Sequence, residues 1–282
     1  MNAATPATDV DVLIVGAGLS GIGAAAMLAR EHPEKTYAVL EARPVSGGTW
    51  DLFRYPGVRS DSDMFTLGYR FKPWRGDKSL ADGPSILAYI RETATEYDVD
   101  RHIRYDHRVT SADWDSAAAR WTVTADHGGK QVTFTTTLMW SCSGYYDYDE
   151  GHRPHFEGEE RFAGTLVHPQ HWPEDLDYAG KRVVVIGSGA TAVTLVPAMA
   201  ETAAHVTMLQ RTPTYVLAVP GSDPIDQRLR KLLPSKGSYA VSRWKNVMVS
   251  TGLYQWSRKS PGSLRNVLRK ATVKALPDGY EV

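Results

Sequence analysis

Residues 162–192 read FAGTLVHPQHWPEDLDYAGKRVVVIGSGATA, and the second half of this stretch decides the fold. An apolar run, Val183 to Ile186, leads directly into Gly187-Ser188-Gly189-Ala190-Thr191-Ala192, which has the spacing G-x-G-x-x-A. A buried parallel strand that turns on glycines into a helix directs the N–H groups of the helix N-terminus at a dinucleotide pyrophosphate. The spacing therefore predicts a strand, a tight turn and a helix that bind such a ligand.

A second copy of this pattern stands near the N-terminus. The β-rich residues Asp11 to Val15 suit a central parallel strand and lead into Gly16-Ala17-Gly18-Leu19-Ser20-Gly21. The first glycine of such a turn permits the bend, the second lets backbone approach phosphate, and the third lets the helix pack on the strand. Another strand, Tyr37 to Leu40, ends at Glu41, where an acid often binds a ribose. The alternative is a glycine turn of an α/β sheet that binds no nucleotide.

The residues that end the second strand of each copy differ in charge. Glu41 would repel a 2′-phosphate and accept hydrogen bonds from a free 2′-hydroxyl, so the first copy favours FAD or NAD. In the second copy the strand at residues 205–209 is followed by Arg211 and Thr212, and an arginine pairs well with a 2′-phosphate. The second copy therefore favours NADP, unless Arg211 is an ordinary surface arginine.

Composition narrows the class of protein. A chain of 282 residues is long enough for two domains of ordinary size. Its 32 basic residues equal its 32 acidic residues, so no overall charge indicates nucleic acid as a partner. The single cysteine, Cys142, excludes an internal disulfide and a C-x-x-C redox pair. The N-terminus lacks the features of a leader, and no apolar run approaches the ~18 residues of a transmembrane helix, so we expect a cytoplasmic protein.

A long irregular stretch, residues 43–74, is rich in glycine and aromatic residues. It contains SGGTWDL at residues 46–52 and RYPGVRSD at residues 54–61, and no helical or strand period runs through it. Long irregular stretches inside compact domains are usually functional, and glycines let backbone close on a flat cofactor. From the residues alone, Asp61 fits an Asx-type turn as well as a functional role.

These motifs, together with the F-x-G-x-x-x-H-x-x-x-W-P pattern from Phe162 to Pro173, resemble the type I Baeyer-Villiger monooxygenases, a group of the flavin-containing monooxygenases. The strings DLFRYPGVRSDSDMFTLGYRF, HPQHWPEDLDY and VVVIGSGATAVTLVPA are similar to the ethionamide-activating branch. The resemblance runs from about residue 11 to residue 282. It implies an α/β fold with two doubly wound, Rossmann-like dinucleotide-binding units, a small β-sheet and a basic helical extension.

The resemblance also implies domains and site residues. Residues 1–150 would form the first segment of an FAD-binding domain, residues 151–220 the linker fingerprint and the start of an NADP-binding domain, and residues 221–282 a basic helical segment. Asp61 is the catalytic candidate, because in the family this residue orients an arginine. The cofactor-binding candidates are Gly16, Gly18, Ser20, Gly21, Glu41, Gly48, Thr49, Trp50, Asp51, Leu52, Arg59, Ser60, Asp61, Val109, His168, Trp172, Gly187, Ser188, Gly189, Ala190, Thr191, Ala192, Val193, Thr194, Arg211 and Thr212.

Several of these assignments have structural alternatives. Residues 49–52 would contact FAD, and residues 59–61 would lie where flavin and nicotinamide meet. The Val109 position would supply a backbone contact to the adenine, although a plain sheet residue explains it equally. His168 and Trp172 would orient the cofactors from a hinge, whereas a histidine beside a proline is more often structural. No metal is expected, since Pro169 breaks the helical pairing of His168 with His171.

The reaction implied by the resemblance needs FAD, NADPH and O2. A flavin C4a-peroxide would insert oxygen beside the carbonyl of a ketone or aldehyde, or transfer it to a thioamide-type sulfur. Family members are longer, and the segment with the arginine that stabilises this peroxide has no counterpart here. We therefore expect this chain alone to bind FAD poorly and not to oxygenate. The alternatives are an N-hydroxylating flavin monooxygenase, against which Trp172-Pro173 argues, and a truncated, non-catalytic nucleotide-binding fragment.

The C-terminal region is strongly basic. Residues 221–282 carry twelve Lys or Arg and four Asp or Glu. They read as amphipathic helices at 227–233, 239–249 and 263–276, separated by Pro234, Gly252 and Pro261-Gly262. One interpretation is peripheral contact with a membrane surface or an acidic partner. The interpretation we favour is a helical insert whose apolar sides pack on the rest of the enzyme.

Overall fold

The computed structural model describes residues 7–212, 215–216 and 219–277. These residues fall into two compact units, each built from two separate segments of the chain. Unit 1 comprises Met1–Tyr55 and Gly83–Asp175, and unit 2 comprises Pro56–Asp82 and Leu176–Val282. The predicted division at residues 150 and 220 stays a prediction. The first six residues, considered above for a leader, and the last five lie outside the described residues.

Strands and helices alternate around both glycine turns, and elsewhere successive strands or successive helices follow one another. Unit 1 holds six strands and three helices among the described residues, and unit 2 holds two strands and five helices. In chain order they are β1 (Thr8–Val15), α1 (Leu19–Glu31), β2 (Tyr37–Leu40), α2 (Thr49–Leu52), α3 (Met64–Leu67), α4 (Gly83–Glu96), β3 (Ile103–Arg104), β4 (Arg108–Asp115), β5 (Arg120–His127), β6 (Lys130–Ser141), β7 (Arg182–Ile186), α5 (Ala190–Ala200), β8 (His205–Leu209), α6 (Pro224–Leu232), α7 (Ser235–Lys259) and α8 (Pro261–Ala275).

The described sheet of unit 1 has the order β3-β2-β1-β6-β5-β4. Its first four strands run parallel, and β1 lies between β2 and β6 with fully buried side chains at Leu13 and Ile14. Val15 pairs with both Leu40 and Ser141, so β1, β2 and β6 end level with one another. The segments that follow these three strands therefore meet at one carboxyl edge, where open α/β sheets bind their ligands.

The strands predicted to form a small sheet extend this parallel sheet instead of standing apart. β6 is twelve residues long, and it pairs with β1 on one side and antiparallel with β5 on the other. The reason is a shared core, because Val123 and Phe134 are buried in one cluster with Leu13 and Leu40. The α/β class predicted from the sequence is confirmed.

Unit 2 contains a parallel pair, β7 and β8, followed by the helical region. The pair aligns Val183 with Val206, as the second glycine pattern predicts. Val184 and Ile186 are 61% and 58% exposed, so the described residues cover this sheet less completely than the sheet of unit 1. Within the described part of the chain, no helix is long and apolar enough to cross a membrane.

The basic region forms three helices, but their boundaries differ from the prediction. α7 continues through Gly252, which was expected to separate two helices. An isolated glycine costs a helix only about 1 kcal/mol, which a long helix absorbs. Tyr239 of α7 is buried, and its hydroxyl donates to the carbonyls of Phe65 and Tyr69 at 3.3 and 3.1 Å. Part of α7 thus packs within unit 2, as a helical insert would, whereas Trp244 is 68% exposed.

Candidate functional site

The first glycine turn joins β1 to α1 with very little space around it. Gly16 has a φ of +105°, and a Cβ added there would lie 2.5 Å from the Cys142 carbonyl oxygen. A Cβ on Gly21 would lie 1.8 Å from the Gly16 carbonyl oxygen. Close packing of the helix against the strand therefore requires glycine at the third position. Ser20 is exposed in the first turn of α1.

The stretch 46–52 folds onto this first turn. The Gly47 N–H donates to the Ala17 carbonyl at 2.9 Å. A Cβ on Gly48 would lie 2.9 Å from the Gly18 Cα, and the φ of Gly48 is +55°. The sequence indicated the two motifs but not that they are in contact. In the structure they form one surface of closely packed backbone. We call residues 16–21 and 46–49 the paired glycine turns.

Tyr148 lies beside the paired glycine turns and was not singled out from the sequence. Its hydroxyl is 3.1 Å from the Thr49 hydroxyl, and burial raises the pKa of this phenol. It follows β6, whose end is level with those of β1 and β2. Its position after a strand of the same edge was the signal that could have identified it.

Glu41 turns its carboxylate toward the first glycine turn. One carboxylate oxygen accepts from the Ala17 N–H at 2.8 Å, and the other accepts from the Arg43 N–H at 3.0 Å. The residue is only 5% exposed. A carboxylate has about four acceptor positions, so these two bonds leave capacity for a further donor such as a ribose hydroxyl. That contact stays a prediction.

Asp51, a predicted FAD contact, has its side chain occupied by three arginines. Its carboxylate is within 2.6 Å of Arg43, 2.9 Å of Arg54 and 2.7 Å of Arg91, and the side chain is 6% exposed. Its neighbours Trp50 and Leu52, also in α2, are partly buried. The resemblance did not indicate this arrangement, because Arg91 lies 40 residues away in the sequence.

An aromatic cluster lies in the same unit. The Phe53 ring is 5.7 Å from that of Tyr55 and 5.0 Å from that of Tyr146, and Tyr145 lies 4.6 Å from Tyr146. Burial, followed by the hydrogen bond and charge of Tyr145, raises the pKa of Tyr146 to about 12. Tyr145 itself is 89% exposed. This cluster was not predicted from the sequence.

The second glycine turn, between β7 and α5, is more open than the first. Among the described residues, no atom lies within 4 Å of a Cβ built on Gly187 or Gly189. The third position holds Ala192, which is buried and accommodates a real Cβ. The Ser188 hydroxyl donates to the Thr212 carbonyl at 3.3 Å, so the segment after β8 lies against this turn. Arg211 and Thr212 are exposed there.

The remaining candidates in α5 differ in accessibility. Ala190 is exposed at the start of the helix, and Thr191 and Val193 are partly buried. Thr194 is buried, and its hydroxyl donates to the carbonyls of Ala190 and Thr191. The start of α5 is therefore open to a ligand, whereas the Thr194 side chain is engaged within its own helix.

The segment with the catalytic candidate packs on α5. A Cβ on Gly57 would lie 2.6 Å from the Thr194 carbonyl oxygen, so the backbone is in close contact with the helix. Ser60 is buried, and its hydroxyl donates to the Ser62 carbonyl at 2.8 Å. Arg59 and Asp61 on either side are exposed. The catalytic role of Asp61 stays a prediction, and its placement in unit 2 is a structural result.

The fingerprint stretch ends within unit 1, directly before unit 2 resumes at Leu176. The His168 ring accepts a hydrogen bond from the Gln170 N–H at 3.3 Å, which caps a short 3-10 turn. Trp172 is partly buried. Val109 lies in β4 opposite Ala125. These contacts support a structural role for His168 and for Val109. The cofactor contacts of His168, Trp172 and Val109 stay predictions.

In the part of the chain that the structure describes, no group of three or more His, Cys, Asp or Glu side chains is placed to hold a metal ion.

Two glycine turns, each between a parallel strand and a helix, define a protein with two dinucleotide-binding units. The chain belongs to the flavin-binding monooxygenase-like family, whose profile matches residues 79–236. A profile of the NAD(P)-binding Rossmann-like domain matches residues 14–72, which include the first glycine turn. The family predicted from the sequence motifs is thereby confirmed.

Individual relatives agree with this family. The chain is 55% identical over 273 residues to the FAD-containing monooxygenase EthA of Mycolicibacterium smegmatis, which covers 96% of this chain and 56% of the relative. It is 53% identical to EthA of Mycobacterium tuberculosis H37Rv, with 97% and 56% covered. The chain thus spans about half the length of the curated relatives it matches.

Solved structures show the same architecture. A steroid monooxygenase bound to NADP matches with a TM-score of 0.69 and 35% identity over 83% of this chain and 43% of the other. Cyclohexanone monooxygenase from Rhodococcus sp. Phi1, bound to NADP+, matches with a TM-score of 0.70 and 28% identity over 83% and 44%.

Proposed function

We propose that unit 1 binds FAD and unit 2 binds NADP, in an enzyme that uses NADPH and O2 to oxygenate a small molecule. The observation that carries this proposal is the opposite charge after equivalent strands. A buried acid, Glu41, follows β2 beside the first glycine turn, and an exposed arginine, Arg211, follows β8 beside the second. An acid accepts from a free ribose hydroxyl, whereas an arginine pairs with a 2′-phosphate.

The residues of unit 1 fit FAD. The paired glycine turns present backbone without side chains at Gly16, Gly18 and Gly48, and a Cβ at these positions would fill or distort the surface. The Glu41 carboxylate keeps acceptor capacity beside this surface. When bound, FAD supplies the redox chemistry that accepts a hydride from NADPH and activates oxygen. The chain's own part is to bind and orient the cofactor.

The residues of unit 2 fit NADP. The N-terminus of α5 has no side-chain cap, so its first backbone N–H groups can donate to an anion, and the open space around Gly187 and Gly189 leaves room for a pyrophosphate. Arg211 stands exposed in the segment that the Ser188 hydroxyl contacts. Relatives of this chain are named as FAD-containing monooxygenases, and two similar structures contain NADP, which supports the same assignment.

For the reaction we propose Baeyer-Villiger oxidation, in which oxygen is inserted beside the carbonyl of a ketone or aldehyde, or oxygen transfer to a thioamide-type sulfur. Cyclohexanone and steroid monooxygenases are among the similar structures, which supports the first of these. Asp61 would act in this reaction as the residue that orients a cationic partner. Since the chain spans about half the length of its curated relatives, the activity is proposed for the enzyme to which these units belong.

Cofactor binding can be tested on the chain itself. Because this chain alone is expected to bind FAD weakly, the purified protein is titrated with FAD up to high concentration. The titration should quench flavin fluorescence saturably, and anaerobic NADPH should then bleach the bound flavin. An absence of saturable quenching would contradict the FAD assignment. Oxygenation is tested on the enzyme to which these units belong, because this chain alone is not expected to form product. There, NADPH oxidation in air without oxygenated product would contradict the proposed oxygenation and favour a nucleotide-binding role without oxygenation.

The NADP assignment is tested at Arg211. Arg211→Ala should reduce the preference for NADPH over NADH by about 1.5 to 3 kcal/mol, the usual contribution of a hydrogen bond to a charged group. Arg258→Ala provides a matched control, because Arg258 is also an exposed arginine of unit 2 but lies in α7. The ratio of the affinities for NADPH and NADH is compared between the variants. An unchanged ratio in Arg211→Ala, or an equal change in the control, would refute the assignment.

A further inference from the structure

Three arginines share a single acid in unit 1. The guanidinium groups of Arg43, Arg54 and Arg91 all donate to the Asp51 carboxylate, at 2.6, 2.9 and 2.7 Å. Among the described residues, Asp51 is the only acid within ion-pair distance of any of them. Glu41, the other acid nearby in sequence, directs its carboxylate to backbone N–H groups. We call Arg43, Asp51, Arg54 and Arg91 the arginine cluster. With three cations and one anion, it carries two positive charges in excess.

Such an excess is costly without an anion. One or two arginines satisfy a carboxylate, and a third brings a like charge close to the first two. Asp51 is almost completely buried and the Arg43 side chain is 22% exposed, so water screens this part of the cluster incompletely. The Arg54 and Arg91 side chains are 47% and 44% exposed. Two of the three cations are thus open to an ion from solution.

The cluster is attached to the paired glycine turns. One Arg91 nitrogen donates to the Ser46 carbonyl at 3.0 Å as well as to Asp51. An Arg43 nitrogen is 3.4 Å from the Gly48 carbonyl, and Gly48 packs against Gly18 of the first turn. The excess positive charge therefore lies beside the backbone where a dinucleotide pyrophosphate would bind, and a pyrophosphate diester carries two negative charges.

We propose that the arginine cluster supplies the positive charge that recognises the pyrophosphate of FAD at the paired glycine turns. Asp51 acts as a positioning residue, because it holds the three guanidinium groups without offering its own oxygens to the cofactor. This inference rests on the proposed FAD site in unit 1. It assigns to Arg43 and Arg91 a role that no sequence motif indicated, and it gives Arg54, which begins the RYPGVRSD stretch, a defined partner in the cofactor.

The test uses Arg54→Gln and Arg91→Gln, which remove one exposed charge each while keeping a polar side chain. FAD affinity is measured by flavin fluorescence at low and at high ionic strength. At low ionic strength each variant should bind FAD about three- to fivefold more weakly, the scale of a partly exposed charge interaction. The difference should disappear at about 1 M salt, where the screening length falls to about 3 Å.

Arg120→Gln is the matched control, since Arg120 is also a half-exposed arginine of unit 1 in an ion pair, with Asp9. It should leave FAD affinity unchanged. The inference is overturned if the cluster variants bind FAD as the unchanged chain does at low salt. It is also overturned if their loss of affinity persists at high salt, because a disturbed fold and not a lost charge would then explain it. If the unchanged chain does not bind FAD, the proposed function itself fails.

Discussion

Replacing Gly21 by alanine would test the packing on which the first cofactor turn depends. The added Cβ would lie 1.8 Å from the Gly16 carbonyl oxygen and 2.9 Å from its carbon, whereas ordinary contacts begin at 3.4 Å. Both of these atoms belong to the Gly16 backbone, so rotation of a side chain cannot relieve the contact. α1 would have to move away from the turn by about the missing distance, roughly 1.6 Å.

The expected loss of stability combines two opposing effects. Overpacking of a tightly packed site costs typically about 1 to 3 kcal/mol, and a contact with rigid backbone belongs at the upper end. Alanine is better than glycine in a helix by about 1 kcal/mol, which offsets part of this cost. We therefore expect Gly21→Ala to destabilise unit 1 by about 2 kcal/mol. For a domain of this size, the melting temperature should fall by about 4 to 8 °C.

Thermal unfolding followed by circular dichroism provides the assay, together with a titration with FAD, which the displaced turn should bind more weakly. Gly252→Ala is the matched control, because Gly252 is also a helical glycine but has no described atom within 4 Å of an added Cβ. It should stabilise the protein by about 0.5 to 1 kcal/mol. A melting temperature of Gly21→Ala at or above that of the unchanged chain would refute the packing argument.

Two further predictions concern pH. Asp223 caps α6 by accepting from the Ile225 N–H at 3.0 Å, and although burial raises its pKa, Lys245 and the backbone N–H groups lower it below its usual value. Asp223→Ala should cost about 1 kcal/mol at neutral pH, and this difference in stability should vanish as the pH falls through the lowered pKa; a difference that stays constant in acid would contradict it. Tyr146, with a pKa of about 12 against a usual 10.0, should stabilise the fold below pH 10 and lose this effect as the pH rises through 12. When tyrosinate absorbance is followed against pH, Tyr146→Phe should lack one phenol that ionises near pH 12 in the unchanged chain. Loss of a phenol that ionises near pH 10 would show that the pKa of Tyr146 is not raised.

Both glycine turns could be predicted from the sequence because their conformations are local. The bend at Gly16 and the contact between Gly21 and Gly16 involve residues within six positions of one another. The spacing of the glycines therefore indicates the turn without knowledge of the rest of the fold. The charged residues after β2 and β8 could also be predicted, since Glu41 stands directly after its strand and Arg211 stands two residues after its strand.

The arginine cluster and the placement of the catalytic candidate were not predictable in this way. Arg91 reaches Asp51 across 40 residues, and Gly57 meets Thr194 on a helix formed more than a hundred residues later. Neither pair has a periodic or short-range signal, because the partners come together only when separate elements pack. For the same reason, the sequence did not indicate that β4 and β5 would extend the parallel sheet.

The amino-acid sequence by itself determined the α/β class and the two dinucleotide-binding turns, because strand, turn and helix propensities act over a few residues. The family followed from the resemblance of its motifs. The tertiary structure decided which of the marked residues share a surface. It brought the GGTW stretch onto the first glycine turn, bound Asp51 to three arginines, and fixed the segment from Pro56 to Asp82 within unit 2. These arrangements depend on close packing and on shared hydrogen bonds between distant segments, which exist only once the chain has folded.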